Sequence, residues 1–340
     1  MIIPSHTTHA LALTAALLCF GCHTEQSMAQ SKPTQASTTK PQTKALKTKE
    51  IETLPKEVRA ETPLKVDQEK LRKRYTWLAF QDDLPELTTL DKHIPTPDGF
   101  SRVEASDKSY AAYLRGLPVR TDRQNVLLYN GDRSSMPSAG IIPLDLGKRD
   151  LHQCADSVIR LYAEYLWSTD QEDDATFHYT SGDLAKWTDW KKGRPLKIKG
   201  RKVVQSKAKP YPNTHKAYRK WLDQVFMYAS TRSLHRDSKR VKQSKDLQSG
   251  DFFLQGGSPG HVIMILDIAE SATGQRVALM GQGYLPAREF HIIKGAGVGV
   301  EDNVWFVLDD KQPIVTSSWA PFSIEDAWRF NQGKNKGGGG

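Results

Sequence analysis

The chain has 340 residues, of which 38% are hydrophobic and 9% aromatic, and it carries a formal net charge of +9. This composition is ordinary for a globular protein, and the length accommodates one large domain or two small ones. Basic residues concentrate in 191–209 and 232–245, but the sequence has no zinc-finger spacing, no aromatic ribonucleoprotein motif and no helix-turn-helix signature. A solvated basic loop explains this charge best; anionic envelope polymers and phospholipid headgroups are the alternatives, and we expect nucleic acid not to be the partner.

A short apolar run lies near the N-terminus. Residues 10–22 are too few to span a bilayer comfortably but suit a signal peptide, so we expect an exported protein, periplasmic or anchored at the outer membrane or cell surface. Gly21-Cys22 resembles the cleavage site of a bacterial lipoprotein, which predicts lipidation of Cys22 and a signal peptide over 1–22. Cleavage after Ala29 and an uncleaved N-terminal anchor are the alternatives.

The chain then divides by composition. Residues 23–74 are polar and almost free of aromatic residues, which predicts a disordered tether with a helical end near 66–74. Aromatic residues become dense at Tyr75, so we place a single domain over 75–330. The polar, glycine-rich residues 331–340 form a disordered tail.

The first half of this domain is predicted to contain both helices and strands. The pattern predicts a short helix over 109–117, strands over 125–129 and 140–146, and a helix capped by Asp150 that carries Cys154 on its inward face. A polar insertion follows over 168–213. There, Trp187 and Trp190 fit packing better than stacking on sugars.

The second half begins with a predicted amphipathic helix over 214–234. The remaining apolar runs, separated by turns rich in Gly and Pro, predict strands over 251–254, 261–268, 276–280, 289–293 and 304–308. A helix pair followed by an antiparallel sheet indicates an α+β fold. Gly295 to Gly299 predict a hairpin turn.

Two residues, Cys154 and His261, are candidates for a nucleophilic catalytic site. Cys154 has no partner for a disulfide once Cys19 and Cys22 are removed or modified, and the start of a helix lowers the pKa of a thiol. His261 stands where a Gly-rich turn enters an apolar strand, as the base of a Cys/His site does. Taken singly, Cys154 also fits a small buried apolar side chain, and His261 a buried imidazole bonded to a carbonyl.

The order of these segments is similar to that of the NlpC-like and CHAP families of papain-like cell-wall hydrolases. The matching residues are Gln153-Cys154 at a helix start, Gly250-Asp251 before a strand, and Gly260-His261 at the start of the next strand. The resemblance implies a papain-like helix pair on an antiparallel sheet, with Cys154 as nucleophile and His261 as base. It implies Gln282 on the following strand as the residue that orients the imidazole.

Over its whole folded length the chain resembles a family of exported bacterial proteins known as a domain of unknown function. The segments that carry this resemblance are 113–118, 144–147, 149–156, 163–165, 180–182 and 256–261. The family implies no activity. It does imply that Cys154 and His261 belong to one domain.

The sequence therefore predicts a cysteine amidase or peptidase that acts on peptide or amide bonds of an envelope polymer such as peptidoglycan. A non-catalytic binding or assembly lipoprotein with a buried structural cysteine is the alternative. His152, Asp156 and His261 lack the spacing of a zinc enzyme, so we expect no metal and no cofactor.

Overall fold

The computed structural model describes residues 66–295 and 304–331. The predicted signal peptide, the lipidation site at Cys22, nearly all of the tether and the tail from 332 onward lie outside these residues. So do 296–299 of the predicted glycine hairpin. Helix α1 (Gln68–Arg74) confirms the predicted helical end of the tether, and its Leu71 is buried in the main core, so the packed region begins before Tyr75.

Six further helices follow in the described residues. They are α2 (Leu90–His93), α3 (Tyr110–Arg115), α4 (Cys154–Ser168), α5 (Trp187–Lys191), α6 (His215–Tyr228) and α7 (Thr231–Arg236). The predicted helix pair corresponds to α4 and α6. The two helices pack through Tyr218, whose hydroxyl donates to the Ala163 carbonyl, and through a hydrogen bond between His215 and Glu164.

The strands are short except for two. They are β1 (Leu87–Thr89), β2 (Phe100–Arg102), β3 (Pro118–Arg120), β4 (Ser138–Ile141), β5 (Thr176–His178), β6 (Leu184–Lys186), β7 (Leu196–Lys199), β8 (Lys202–Gln205), β9 (Ser238–Arg240), β10 (Phe252–Gln255), β11 (His261–Ser271), β12 (Arg276–Gln282), β13 (His291–Ile293), β14 (Trp305–Val307) and β15 (Ala327–Phe330).

Nine of these strands form the main sheet in the order β4-β13-β12-β11-β10-β15-β9, with β2 paired to β11 and β14 to β12. Every pairing is antiparallel. Three two-stranded sheets, β1-β3, β5-β6 and β7-β8, lie outside it. The predicted α+β class with an antiparallel sheet is confirmed.

The main sheet is buried on both faces, which is why its central strands are nearly continuously apolar. Side chains alternate along β11: Val262 and Met264 join the core that contains α4, whereas Ile263 and Ile265 join a second core. The second core is closed by the irregular segment that includes Ile314 and Phe322. Both faces are therefore unavailable to solvent along most of β11.

Several predicted elements differ from the structure. Of the strand predicted over 140–146, only 140–141 lie in a strand, β4. Residues 125–129 form no strand, since only Leu127 and Leu128 make isolated bridges. The helix expected over 214–234 is two helices, because Ser230 caps α7 and interrupts the hydrogen-bond ladder after Tyr228. The insertion over 168–213 holds α5 and two hairpins, and its Trp187 and Trp190 are buried as expected.

Candidate functional site

Helix α4 begins at Cys154 itself, so its N-cap lies three residues later than the predicted cap at Asp150. Gln153 is the N-cap, and its N–H donates to the Asp156 carboxylate at 3.0 Å. Asp150 lies in the preceding turn, where its carboxylate accepts the Ala287 N–H at 2.7 Å. Cys154 therefore occupies the first helical position, where backbone N–H groups have no partner within the helix.

The surroundings of the Cys154 thiol favour its neutral form. Burial, with the nearby Asp156 carboxylate as a smaller cause, raises the pKa of Cys154 to about 11. The backbone N–H groups of Ala155 and Val262 lower it, but by less. The expectation of a lowered thiol pKa is wrong for this state, because only 8% of the residue is exposed and desolvation outweighs the helix amides.

His261 is the first residue of β11 and contacts Gln282 at the end of β12. His261 Nε2 lies 2.8 Å from Gln282 Oε1, and both side chains are buried. An amide oxygen only accepts, so His261 donates from Nε2 and its lone pair is on Nδ1. The structure thus brings together two of the three predicted site residues.

A second histidine lies behind Gln282, in register with it on β13. Gln282 Nε2 is 3.2 Å from His291 Nε2, and His291 Nδ1 is 3.0 Å from the Glu289 carbonyl oxygen. Sequence reasoning missed His291. The sequence pattern places His291 in a predicted strand, but it does not reveal the register that sets His291 opposite Gln282.

Aromatic rings enclose His261. The ring centroids of Tyr284, Trp319 and Phe322 lie 4.8, 5.0 and 6.2 Å from that of His261. Hydrogen bonds hold two of these rings, from the Tyr284 hydroxyl to the Ser318 carbonyl and from Trp319 Nε1 to Gln255. The segment around Ser318 and Trp319 therefore covers the imidazole.

Cys154 and His261 both lie near the start of β11, but on opposite faces of the main sheet. Because His261 shares the orientation of Ile263, its ring lies on the face away from α4. Cys154 lies on the α4 side, with the Val262 N–H close enough to its sulfur to lower the thiol pKa. Gly283 permits α4 to pack closely against the end of β12, because a Cβ there would lie 2.2 Å from Ser157 Oγ in α4.

Both imidazoles at the site are neutral at pH 7. Burial lowers the pKa of His261 to about 4, against a smaller opposite effect of the Gln282 hydrogen bond. Burial also lowers the pKa of His291 to about 4, and the nearby Arg288 cation acts in the same direction. The site at rest thus combines a neutral thiol with a neutral imidazole.

The comparison with known families identifies the domain. Residues 90–329 match the family described as Domain of unknown function (4846), DUF4846. The chain belongs to this family. No curated protein and no solved structure matches the chain.

The DUF4846 match covers α2 through most of β15 and so contains Cys154, His261, Gln282 and His291. Within 66–295 and 304–331, no cluster of His, Cys, Asp and Glu side chains could hold a metal ion. No helix in these ranges is long and apolar enough to cross a membrane.

The DUF4846 domain also has a basic cleft at the opposite end of the sheet. The cleft has a volume of about 610 Å³ and adjoins an inner cavity of about 310 Å³ that shares Arg276 and Arg329 with it. Exposed Lys239, Lys242 and Lys245 line it and make no ion pair with a described residue. Asp246 is the one carboxylate among its lining residues that the structure describes.

Proposed function

We propose that this DUF4846 protein is a papain-like cysteine hydrolase that cleaves peptide or amide bonds of the cell envelope. Cys154 is the nucleophile, His261 the general base and Gln282 the residue that orients the imidazole. The observation that carries the proposal is the 2.8 Å hydrogen bond between His261 Nε2 and Gln282 Oε1. It leaves the lone pair of His261 on Nδ1, the nitrogen that then acts as base.

The position of Cys154 supports the same assignment. As the first residue of α4 it is surrounded by N–H groups of the helix start and by that of Val262, which follows His261. Such N–H groups stabilise a thiolate, and they also stabilise the oxyanion of a tetrahedral adduct.

The reaction follows from these groups. Once the site has opened and Cys154 and His261 have moved within proton-transfer reach, the thiol proton of Cys154 moves to Nδ1 of His261 while the sulfur attacks the carbonyl carbon of the amide. His261 then gives this proton to the leaving amine as the C–N bond breaks. Water, deprotonated by His261, hydrolyses the thioester and restores the thiol.

The closed site has to open before this chemistry begins. With both groups buried and neutral, a thiolate is scarce, and the ring of Trp319 lies against His261. Displacement of the segment around Ser318 and Trp319 admits water and substrate to His261. Hydration weakens the desolvation that now raises the thiol pKa.

The substrate class rests on the predicted export. Peptidoglycan offers amide bonds to an exported hydrolase, and acylation of Cys22 would hold the enzyme at a membrane. Metabolic labelling with a fatty-acid probe tests this anchor: label on the wild type but not on Cys22→Ala supports it. Equal labelling of both proteins, or none on either, contradicts it.

The hydrolase is tested with soluble peptidoglycan fragments and mass spectrometry of the products. We expect Cys154→Ala and His261→Ala to lower the hydrolysis rate at least ~100-fold, and Gln282→Ala to lower it less. His178→Ala, which alters a histidine paired with Asp237, is the control. Hydrolysis that survives in Cys154→Ala would exclude this cysteine as the nucleophile.

The basic cleft favours a second candidate, a non-catalytic module that binds an anionic envelope polymer. Unpaired lysines around an open cleft attract carboxylates or phosphates along such a chain. Among the residues that the structure describes, no aromatic side chain lines the basic cleft, which favours an anionic polymer over nucleic-acid bases that need a stacking surface.

A further inference from the structure

We propose that His291 is a positioning residue that fixes the orientation of the Gln282 amide and, through it, the ring tautomer of His261. The inference deepens the proposed function and rests on it for its catalytic meaning. The hydrogen bonds themselves are independent of any activity.

The direction of the chain of hydrogen bonds is set by the Glu289 backbone carbonyl. A carbonyl oxygen only accepts, so His291 donates to it from Nδ1 over 3.0 Å. A neutral imidazole has one N–H, and His291 Nε2 is therefore an acceptor. The Gln282 group that lies 3.2 Å from it must be the NH₂, which turns Oε1 toward His261.

The reversed amide is disfavoured in this site. With Oε1 turned toward His291, that ring would have to donate from both nitrogens and carry a positive charge. His291 is fully buried, and the Arg288 cation lies near enough to oppose such a charge. The alternative, a neutral His291 with Nε2 facing Oε1, sets two acceptors against each other.

The neighbouring hydroxyl does not determine the orientation. Ser318 Oγ lies 3.2 Å from Gln282 Nε2 and 3.3 Å from Oε1, and a hydroxyl both donates and accepts. Met136 Sδ, a weak acceptor 4.0 Å from Gln282 Nε2, favours the same orientation, and His291 is the stronger of these two acceptors.

The orientation of the Gln282 amide decides which ring nitrogen of His261 can act as the base. If Gln282 turned its NH₂ toward His261, that ring would accept at Nε2 and carry its proton on Nδ1. Nδ1 could then take no proton from the Cys154 thiol. His291 therefore keeps His261 in the tautomer that a general base needs, although it lies behind Gln282.

The test reads the tautomers directly, by long-range ¹H–¹⁵N NMR of the full chain with ¹⁵N-labelled histidine. In the wild type we expect His261 protonated on Nε2 and His291 on Nδ1, with signals assigned by their loss in His261→Ala and His291→Phe. In His291→Phe we expect His261 to become a mixture of tautomers. In His291→Gln we expect recovery of the Nε2–H form, because the new NH₂ donates to the Glu289 carbonyl as the His291 Nδ1–H does and leaves the amide oxygen to accept from Gln282.

The control is His93→Phe, which also removes a ring hydrogen bond to a carbonyl, 2.8 Å from His93 Nε2 to Ala139, but does not touch Gln282. It should leave the His261 signals unchanged. His261 protonated on Nδ1 in the wild type, or unchanged in His291→Phe, would overturn the inference. The predicted tautomers in a protein without hydrolase activity would support the inference while the proposed function fails.

Discussion

At the scale of single residues, desolvation dominates the chemistry of the site. The pKa of the Cys154 thiol is raised to about 11 and that of the His261 imidazole lowered to about 4 by the same cause, burial. Burial disfavours the charged form of any group, so it moves an acid and a base in opposite directions. The thiol and the imidazole are consequently both neutral in the closed site, and under the proposed function transient opening has to precede the reaction.

The buried histidines make stability depend on pH. The pKa of His291 is about 4 in the folded protein and has its ordinary value of 6.5 when unfolded. Between pH 6.5 and 4 this imidazole is protonated in the unfolded chain but not in the folded protein. The contribution of the neutral, buried His291 to stability is therefore lost as the pH falls from 6.5 toward 4. The loss is about 1.4 kcal/mol per pH unit.

His291→Phe isolates this effect. Above pH 7 the variant should be less stable than the wild type, because Gln282 loses an acceptor. As the pH falls below 6.5, the difference in the free energy of unfolding should shrink, since only the wild type loses this contribution. Urea unfolding at a series of pH values measures it, and a constant difference would show that His291 titrates normally in the folded protein.

At the scale of elements, the long apolar strands were predictable and the element ends were not. β11 and β12 are indicated by continuous apolar runs between Gly-containing turns. The start of α4 was misplaced because Asp150 has the side chain of an N-cap, yet it is used by the distant Ala287 N–H. Nothing local in the sequence encodes that tertiary contact.

The site was predictable to the same extent. Cys154 and His261 could be chosen from residue type and order and Gln282 from the family resemblance, and the structure shows the contact between His261 and Gln282. His291 could not be chosen, since its role depends on the register of β12 and β13. The enclosing Trp319 was also hidden, because an irregular segment from the far end of the chain brings it to His261.

At the scale of the whole molecule, the candidate site and the basic cleft lie at opposite ends of β11. His261 begins this strand and Ile268 lines the inner cavity, a separation of about 23 Å for an extended chain. Both belong to the one DUF4846 domain. Under the proposed function, a polymer long enough to reach both is held at the cleft and cut at Cys154.

The cleft is tested by binding of fluorescent anionic peptidoglycan fragments. Replacing Lys239, Lys242 and Lys245 together by Gln should weaken binding about tenfold and reduce its salt dependence, because three unpaired cations are lost. The matched control replaces Lys197, Lys199 and Lys202, exposed on the β7-β8 hairpin, in the same way. Equal losses in both triple variants would indicate net charge rather than the cleft.

The central claim, that Cys154 and His261 act as nucleophile and base, is tested most directly by acylation of the native protein. A small activated acetyl ester is added at neutral pH, and intact-mass spectrometry with peptide mapping follows the adduct over time. We expect one acetyl group on Cys154, formed at least ~100-fold more slowly in His261→Ala. No adduct on Cys154, or equal rates in the two proteins, would contradict the account.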